Sequence, residues 1–277
     1  MKRCVWVLTL CFLFAGCPYA LAQTPELVAR YASVAPVVDG ALDEAGWDAG
    51  AWSGQFVDLV DGAPGWLESR CALLWDEQAL YIAFRFAEPN VTAHLTARDA
   101  PIYRENDAEI FIAGPDAYYE FEINARGTIY EVLWVWNDAY EPHGRHAALD
   151  PAGRTMRLTG IGDHVHPRGL RIGFLEWDWP GLTAAVAVDG TLNDASDTDR
   201  GWTVEVRVPW AGMAAIMPDA APTPRKGDTL RVDCSRFQRV DADGRRLSPP
   251  AGWALRAHGE YDSHMPECFA RVRLVRE

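Results

Sequence analysis

The amino-acid sequence predicts an all-β protein, an antiparallel β-sandwich with a few short helices. Three observations point there. Short runs that alternate apolar and polar residues recur along most of the chain, which is the two-residue period of strands. Clusters of Gly, Pro and Asp separate these runs at turn positions. No long segment carries the apolar spacing of an amphipathic helix.

The first residues stand outside this pattern. Lys2 and Arg3 precede an apolar run, residues 4–15, that is too short to span a bilayer, and Ala20-Leu21-Ala22 before Gln23 is a small-x-small cleavage signal. Residues 1–22 read as an export signal peptide and residues 23–277 as one domain, in the periplasm or outside a bacterial cell. An overlapping reading takes Phe14-Ala15-Gly16-Cys17 as a lipoprotein box, in which case acylated Cys17 tethers the chain to a membrane. No other stretch is long and apolar enough to cross one.

Residues 37–47, VVDGALDEAGW, combine an apolar pair, an Asp-Gly turn and a short helical turn that Asp43 is placed to cap. Residues 70–86, RCALLWDEQALYIAFRF, form a hairpin around Asp76-Glu77-Gln78, with arms apolar enough to lie mid-sheet. Residues 104–127, RENDAEIFIAGPDAYYEFEINARG, form a second hairpin around Gly114-Pro115-Asp116. On its first arm Ala108, Ile110 and Ile112 share one face and Asp107, Glu109 and Phe111 the other. On its second arm Tyr119, Phe121 and Ile123 oppose Glu120, Glu122 and Asn124. Pairing the arms crowds four carboxylates on one face, where each directly opposed like charge is unfavourable by about 0.2–1 kcal/mol. Either that face is solvated and balanced by Arg98, Arg104 and Arg126, or it meets a cationic or hydroxyl-rich partner.

Residues 128–136, TIYEVLWVW, continue as a strand with Tyr130, Trp134 and Trp136 on one side. A long irregular segment, residues 137–180, then holds His143, His146, His164 and His166. Strands at 183–188 and 202–208 flank an acidic loop, residues 209–215 suit a short helix, and strands at 228–237 and 269–275 close the domain.

The formal charge of the 277 residues is −13, and it becomes −15 when the two signal-peptide cations, Lys2 and Arg3, are removed. So acidic a surface repels phosphate backbones and excludes nucleic acid as a partner. Cys71, Cys234 and Cys268 remain beyond the signal, enough for one disulfide and one buried thiol, and no CxxC spacing marks a metal knuckle or redox pair. Twelve Trp residues are more than a core alone requires and suit stacking on sugar C–H faces.

No GxSxG, HExxH, P-loop or dinucleotide fingerprint is present. The four His of residues 137–180 have zinc-ligand chemistry but no fixed spacing. Asn193, Asp194, Ser196, Asp197 and Asp199 offer oxygens at the density of a structural calcium site, without the Gly and terminal Glu of an EF-hand loop. Glu109 and Glu122 are a carboxylate pair of the kind glycoside hydrolysis needs. Met213, Met217 and Met265 are the available axial ligands for a haem.

In order along the chain, VVDGALDEAGW, ALLWDEQALYIAFRF, RENDAEIFI, YYEFEINARG, RGWTVEVRVPW, GDTLRVDCSRF and HMPECFARVRL together resemble the family-9 carbohydrate-binding modules and their stand-alone relatives in the DOMON-like superfamily. The resemblance covers nearly all of residues 23–277. It implies a jelly-roll-type sandwich and a non-catalytic domain that binds oligo- or polysaccharide between aromatic rings and a polar sheet face, in polysaccharide catabolism. It places Glu109 at the sugar, with Asn124 and the Arg98, Tyr103 and Arg104 loop beside it. The rings nearest the expected clamp are Tyr103, Trp134, Trp253 and His264, and Glu122 stands where some sugar-binding members carry a basic residue. A second reading is a glycoside hydrolase, or an accessory to a separate one, using carboxylates on the same face. A third is a haem or cofactor binder.

Overall fold

The computed structural model describes residues 27–48 and 52–276. Residues 1–22, expected to be a signal peptide, and Cys17 among them therefore lie outside the described residues. Among the described residues there are fourteen strands: β1 Leu27–Tyr31, β2 Val57–Asp58, β3 Ser69–Trp75, β4 Ala79–Ala87, β5 Asp107–Ala113, β6 Ala117–Asn124, β7 Ile129–Trp136, β8 Thr155–Leu158, β9 Arg171–Phe174, β10 Thr183–Asp189, β11 Gly201–Pro209, β12 Thr229–Val240, β13 Arg246–Ala254 and β14 Ala270–Val275. One helical turn, α1 Ala45–Asp48, and three 3-10 turns, Ile102–Arg104, Trp210–Ala215 and Pro266–Cys268, complete the elements. None of the described helices is long and apolar enough to cross a membrane.

The pairings run β10-β11-β4-β3-β1-β14-β12-β5-β6-β7-β9-β8, with β13 branching from β12 to β2. This path folds over at β1 and β14 into two layers, and the chain is an all-β sandwich. Inner faces meet in one core: Leu80, Ile82, Phe84 and Phe86 of β4 and Trp202, Val204, Val206 and Val208 of β11 pack with Ile110 and Ile112 of β5, Tyr119, Phe121 and Ile123 of β6, and Val232 of β12. Each such side chain, fully buried, stabilises the fold by roughly 1.5–3 kcal/mol.

The 70–86 hairpin is as expected, its turn held by Asp76 Oδ1 accepting from the N–H groups of Gln78 and Ala79. Its unbroken apolar run follows from its position. β4 lies between β3 and β11, and its outer residues Tyr81 and Ala83 are covered in turn by Leu42 and Trp47. Trp47 Nε1 donates to Glu205 at 2.7 Å, which locks the 37–47 segment onto that face.

Three features depart from the sequence reading. β1 runs parallel to both β14 and β3, so the sandwich is not wholly antiparallel. β8 and β9 lie inside the 137–180 segment expected to be irregular. β13 has no strand pattern in the sequence because Pro249 and Pro250 interrupt it. It pairs continuously with β12 only from Ala251 onward, the register shifting between Gln238 and Val240, and such branch positions tolerate proline. The disulfide that the sequence allows does not form: Cys71, Cys234 and Cys268 are all buried and none is bonded to another. Cys71 and Cys234 pack in the main core as small apolar side chains, while Cys268 sits apart beside Met265.

One end of the sandwich is closed by a polar plug. Arg236 is fully buried and donates to Glu88 (2.9 Å), Gln238 (2.8 Å), Ser69 Oγ (3.1 Å) and Ala87 O (3.0 Å). Glu88 also accepts from Asn106, Gln238 and Trp202 Nε1. Removing one partner of a buried ion pair leaves the other uncompensated. Arg236→Met should therefore lower the unfolding free energy in denaturant titration by about 3–5 kcal/mol, where an exposed ion pair would lose about 1 kcal/mol or less.

Candidate functional site

The second hairpin pairs in the register its pattern implies: Glu109 lies opposite Glu122, Phe111 opposite Glu120 and Asp107 opposite Asn124. Its apolar rows enter the core, so the acidic rows lie on the outer face of the β12-β5-β6-β7 layer. That face is not solvated. Asp107, Glu109, Glu120 and Glu122 are each at most 4% exposed, because β8, the 256–265 segment and the 3-10 turn Ile102–Arg104 rise around them. Nor do the expected arginines balance them. Arg98 pairs with Glu131 and Asp178, Arg126 donates to Ala93 O, and Arg104 lies over the Tyr103 ring.

Between face and surrounding segments lies a cavity of about 300 Å³. Its floor is Glu109, Glu120, Glu122, Tyr130, Trp134 and Phe237, and its walls include Tyr103, Met156, Arg239, Tyr261 and His264. The rings are fixed against one another: Tyr103 meets Tyr130 edge-on at 5.7 Å, Phe237 meets Tyr261 edge-on at 5.7 Å, and Trp134 meets His264 at 5.3 Å.

Hydrogen bonds set the carboxylates unequally. Glu120 accepts from Trp134 Nε1 at 2.6 Å, and Glu109 accepts from Ser235 Oγ at 3.1 Å. Neither oxygen of Asp107, nor Glu122 Oε2, has a hydrogen-bond partner of good geometry. Burial, reinforced by the neighbouring carboxylates, pushes Glu109 and Glu122 well above the usual carboxylate range. Burial likewise raises Glu120 to about 7, against the Trp134 hydrogen bond.

His264 is held from three sides. Its Nδ1 is 3.0 Å from Tyr118 Oη, its Nε2 is 3.3 Å from Glu120, and its backbone N–H donates to Asp262 at 2.7 Å. Asp262 also receives His164 Nδ1 at 2.7 Å and the Ile161 N–H at 3.1 Å, which ties the 256–265 wall to the segment after β8. Burial first, and then the charge of Arg171, which stacks on Trp136, lower the His264 pKa to about 3. The His264–Glu120 contact therefore joins a neutral imidazole to a carboxyl that burial also drives toward neutrality.

The structure thus brings together Tyr103, Glu109, Trp134 and His264 from the residues expected at the site. Four others are elsewhere. Arg98 serves the Glu131 edge and Arg104 points outward. Asn124 spends its amide on Leu95 O and Glu105 while accepting from the Arg126 and Thr128 N–H groups, so it caps the β6–β7 turn. Trp253 packs in the core, edge-on to Trp66. Glu120 and Tyr130 were visible in the strand alternation. Met156, Arg239 and Tyr261 come from distant segments with no local signal.

The four histidines of 137–180 do not converge: His164 bonds Asp262, His166 bonds Glu267, and His146 accepts from the Glu141 N–H. The acidic loop is likewise self-satisfied. Asp199 accepts from the Val91 and Thr191 N–H groups, Asn193 from Ala93, Asp194 from Ser196, and Asp197 from Thr191 Oγ1. Among the described residues, the metal-ligating side chains that converge are Asp107, Glu109 and Glu122.

No protein-family model and no curated protein sequence matches the chain. Two solved structures share its fold. One is a family-9 carbohydrate-binding module from Caldicellulosiruptor kristjanssonii in complex with cellotriose, with TM-score 0.50 and 15% identity over 91% of this chain and 94% of that one. The other is a "putative carbohydrate-binding protein" from Bacteroides uniformis, with TM-score 0.55 and 14% identity over 89% of this chain and 97% of that one. At these identities the likeness is one of fold.

The His264 environment makes a direct prediction. A folded-state pKa below the unfolded value of 6.5 means that its share of stability is complete above pH 6.5 and is lost as pH falls toward 3. Its imidazole nitrogens in NMR should show a neutral ring throughout pH 5 to 8. A titration midpoint near 6.5 would show the ring to be solvated.

Proposed function

We propose that this is an exported, non-catalytic carbohydrate-binding domain that takes a saccharide end into the outer-face cavity and serves polysaccharide catabolism beside a separate glycoside hydrolase. The observation that carries this is the make-up of the cavity, which sets aromatic rings and carboxyl groups side by side on a rigid sheet. Sugar rings present apolar C–H faces and a rim of hydroxyls. The first pack on aromatic rings, and the second donate to carboxylate oxygens. Glu109 and Glu122 are the acceptors, while Tyr103, Trp134 and Tyr261 are the stacking surfaces. A volume of about 300 Å³ is at the small end for ligand pockets and suits a terminal sugar ring rather than a long chain lying along a groove. The fold shared with the cellotriose-bound module supports the same reading.

Export rests on residues 1–22, with Cys17 acylation as the lipoprotein form. The full chain, expressed in a bacterial host, should be recovered outside the cytoplasm beginning at Gln23 or at acylated Cys17. That mature protein should bind members of a mono- and oligosaccharide panel in calorimetry, with a change in Trp fluorescence. Glu109→Gln should weaken binding by up to about tenfold, the magnitude of a hydrogen bond between neutral groups, and Tyr103→Ala should weaken it too. Absence of binding across the panel, both in calcium and in EDTA, would refute the assignment. Turnover of a chromogenic glycoside that Glu109→Gln abolishes would replace it with the hydrolase reading.

A further inference from the structure

Asp107, Glu109 and Glu122 come from two adjacent strands and reach one point. Glu109 and Glu122 are directly opposed across the β5–β6 ladder, and Asp107 lies two residues along the same face from Glu109. One carboxylate oxygen from each lies within 4.8 Å of the others. Both oxygens of Asp107, which is 0% exposed, and Glu122 Oε2, on a residue 1% exposed, are unpartnered. Other buried carboxylates have their partners: Glu88 receives four donors and Glu205 three, and Asp233, whose oxygens make no hydrogen bond, faces His258 Nε2 at 3.3 Å. Orphan oxygens on two buried carboxylates that converge on one point, with no ion pair to either among the described residues, indicate a missing partner rather than a loosely packed interior.

The nature of the partner follows from the ligand set. All three groups are carboxylates, with no imidazole or thiol among them, which selects a hard cation over zinc or copper. Calcium binds oxygens at about 2.3–2.6 Å, so oxygens on opposite sides of the ion stand about 4.6–5.2 Å apart and adjacent ones closer. A mutual spacing within 4.8 Å fits that shell. Arg239, the cationic side chain lining the cavity, lies over the Phe237 ring and is in no ion pair with any of the three. A divalent ion together with that guanidinium neutralises three carboxylates. The cavity, which Glu109 and Glu122 line, leaves room for the water or hydroxyl ligands that calcium still requires, and Ser235, already on Glu109 Oε2, fixes one carboxylate from behind.

We propose that Asp107, Glu109 and Glu122 form a calcium-class divalent-cation site in the sheet face. The site does not depend on the saccharide reading, because its probe is the metal alone. EDTA-treated wild-type protein, titrated with calcium chloride at pH 7 in a calorimeter, should bind one ion, with magnesium much weaker. The same ion should raise the thermal midpoint. Asp107→Asn and Glu122→Gln should each weaken calcium binding at least about tenfold and lose the thermal shift. Both variants should stay folded in EDTA, as seen by circular dichroism, because each removes a repelling charge. Absence of heat and of thermal shift in the wild type would overturn the site. Undiminished calcium binding in both variants would overturn it as well, by placing the ion elsewhere. Saccharide binding that proceeds normally in EDTA would leave the functional reading standing without the ion.

Discussion

Carboxylates held opposite one another beneath a roof are the constraint around which this molecule is built. Two strands paired in the one register that buries Ile110, Ile112, Tyr119, Phe121 and Ile123 must also set Glu109 against Glu122 and Glu120 beside Phe111 on the other face. Slipping the register by one residue would relieve the repulsion and expose the entire apolar row. The core therefore enforces an arrangement that the acidic face alone would never adopt. Were that face open to water, the penalty would be small. Buried as it is, the carboxyl groups stay near neutrality or wait for a cation, and their pKa values rise accordingly.

The roof is rigid for reasons that can be traced bond by bond. Asp262 collects His164, Ile161 and the His264 backbone, so two segments about 100 residues apart in the chain move as one wall. His264 in turn braces Tyr118 and Glu120 from the cavity side. Trp134, bonded to Glu120 at one edge, closes the floor, and Gly173 leaves room for its ring, since a Cβ there would lie 2.7 Å from it. Polar groups of the fold proper are treated quite differently. Glu88 in the Arg236 plug accepts four hydrogen bonds and Glu205 accepts three, whereas Asp107 and Glu122 on the acidic face keep oxygens unspent.

Much of this was legible in the strand alternation of the hairpins. A two-residue period specifies faces, and the Gly-Pro-Asp turn specifies register, so the sequence alone places the acidic row. The roof could not, because it is made of pairings such as His164 with Asp262 that no local pattern encodes. The same limit explains the misplaced residues. Trp253 belongs to a strand broken by prolines, so its face could not be counted and it proved to be core. Asn124 has a short side chain at a turn, within reach of the Arg126 and Thr128 N–H groups, and capping claims it. Arg98 and Arg104 looked like counter-charges only because sequence proximity says nothing about direction. The calcium-like loop at 192–201 has the right composition, but its oxygens go to backbone N–H groups that a turn exposes.

At the centre of this account is the claim that the carboxylate face serves a ligand rather than the fold. It is tested most directly by the unfolding free energy of the Asp107→Asn, Glu122→Gln double variant against wild type, at pH 7 in EDTA without saccharide. Relief of unpartnered, mutually repelling carboxylates should make the variant more stable by about 1–3 kcal/mol. A variant less stable than wild type would show that these carboxylates hold the sandwich together, and would contradict the account.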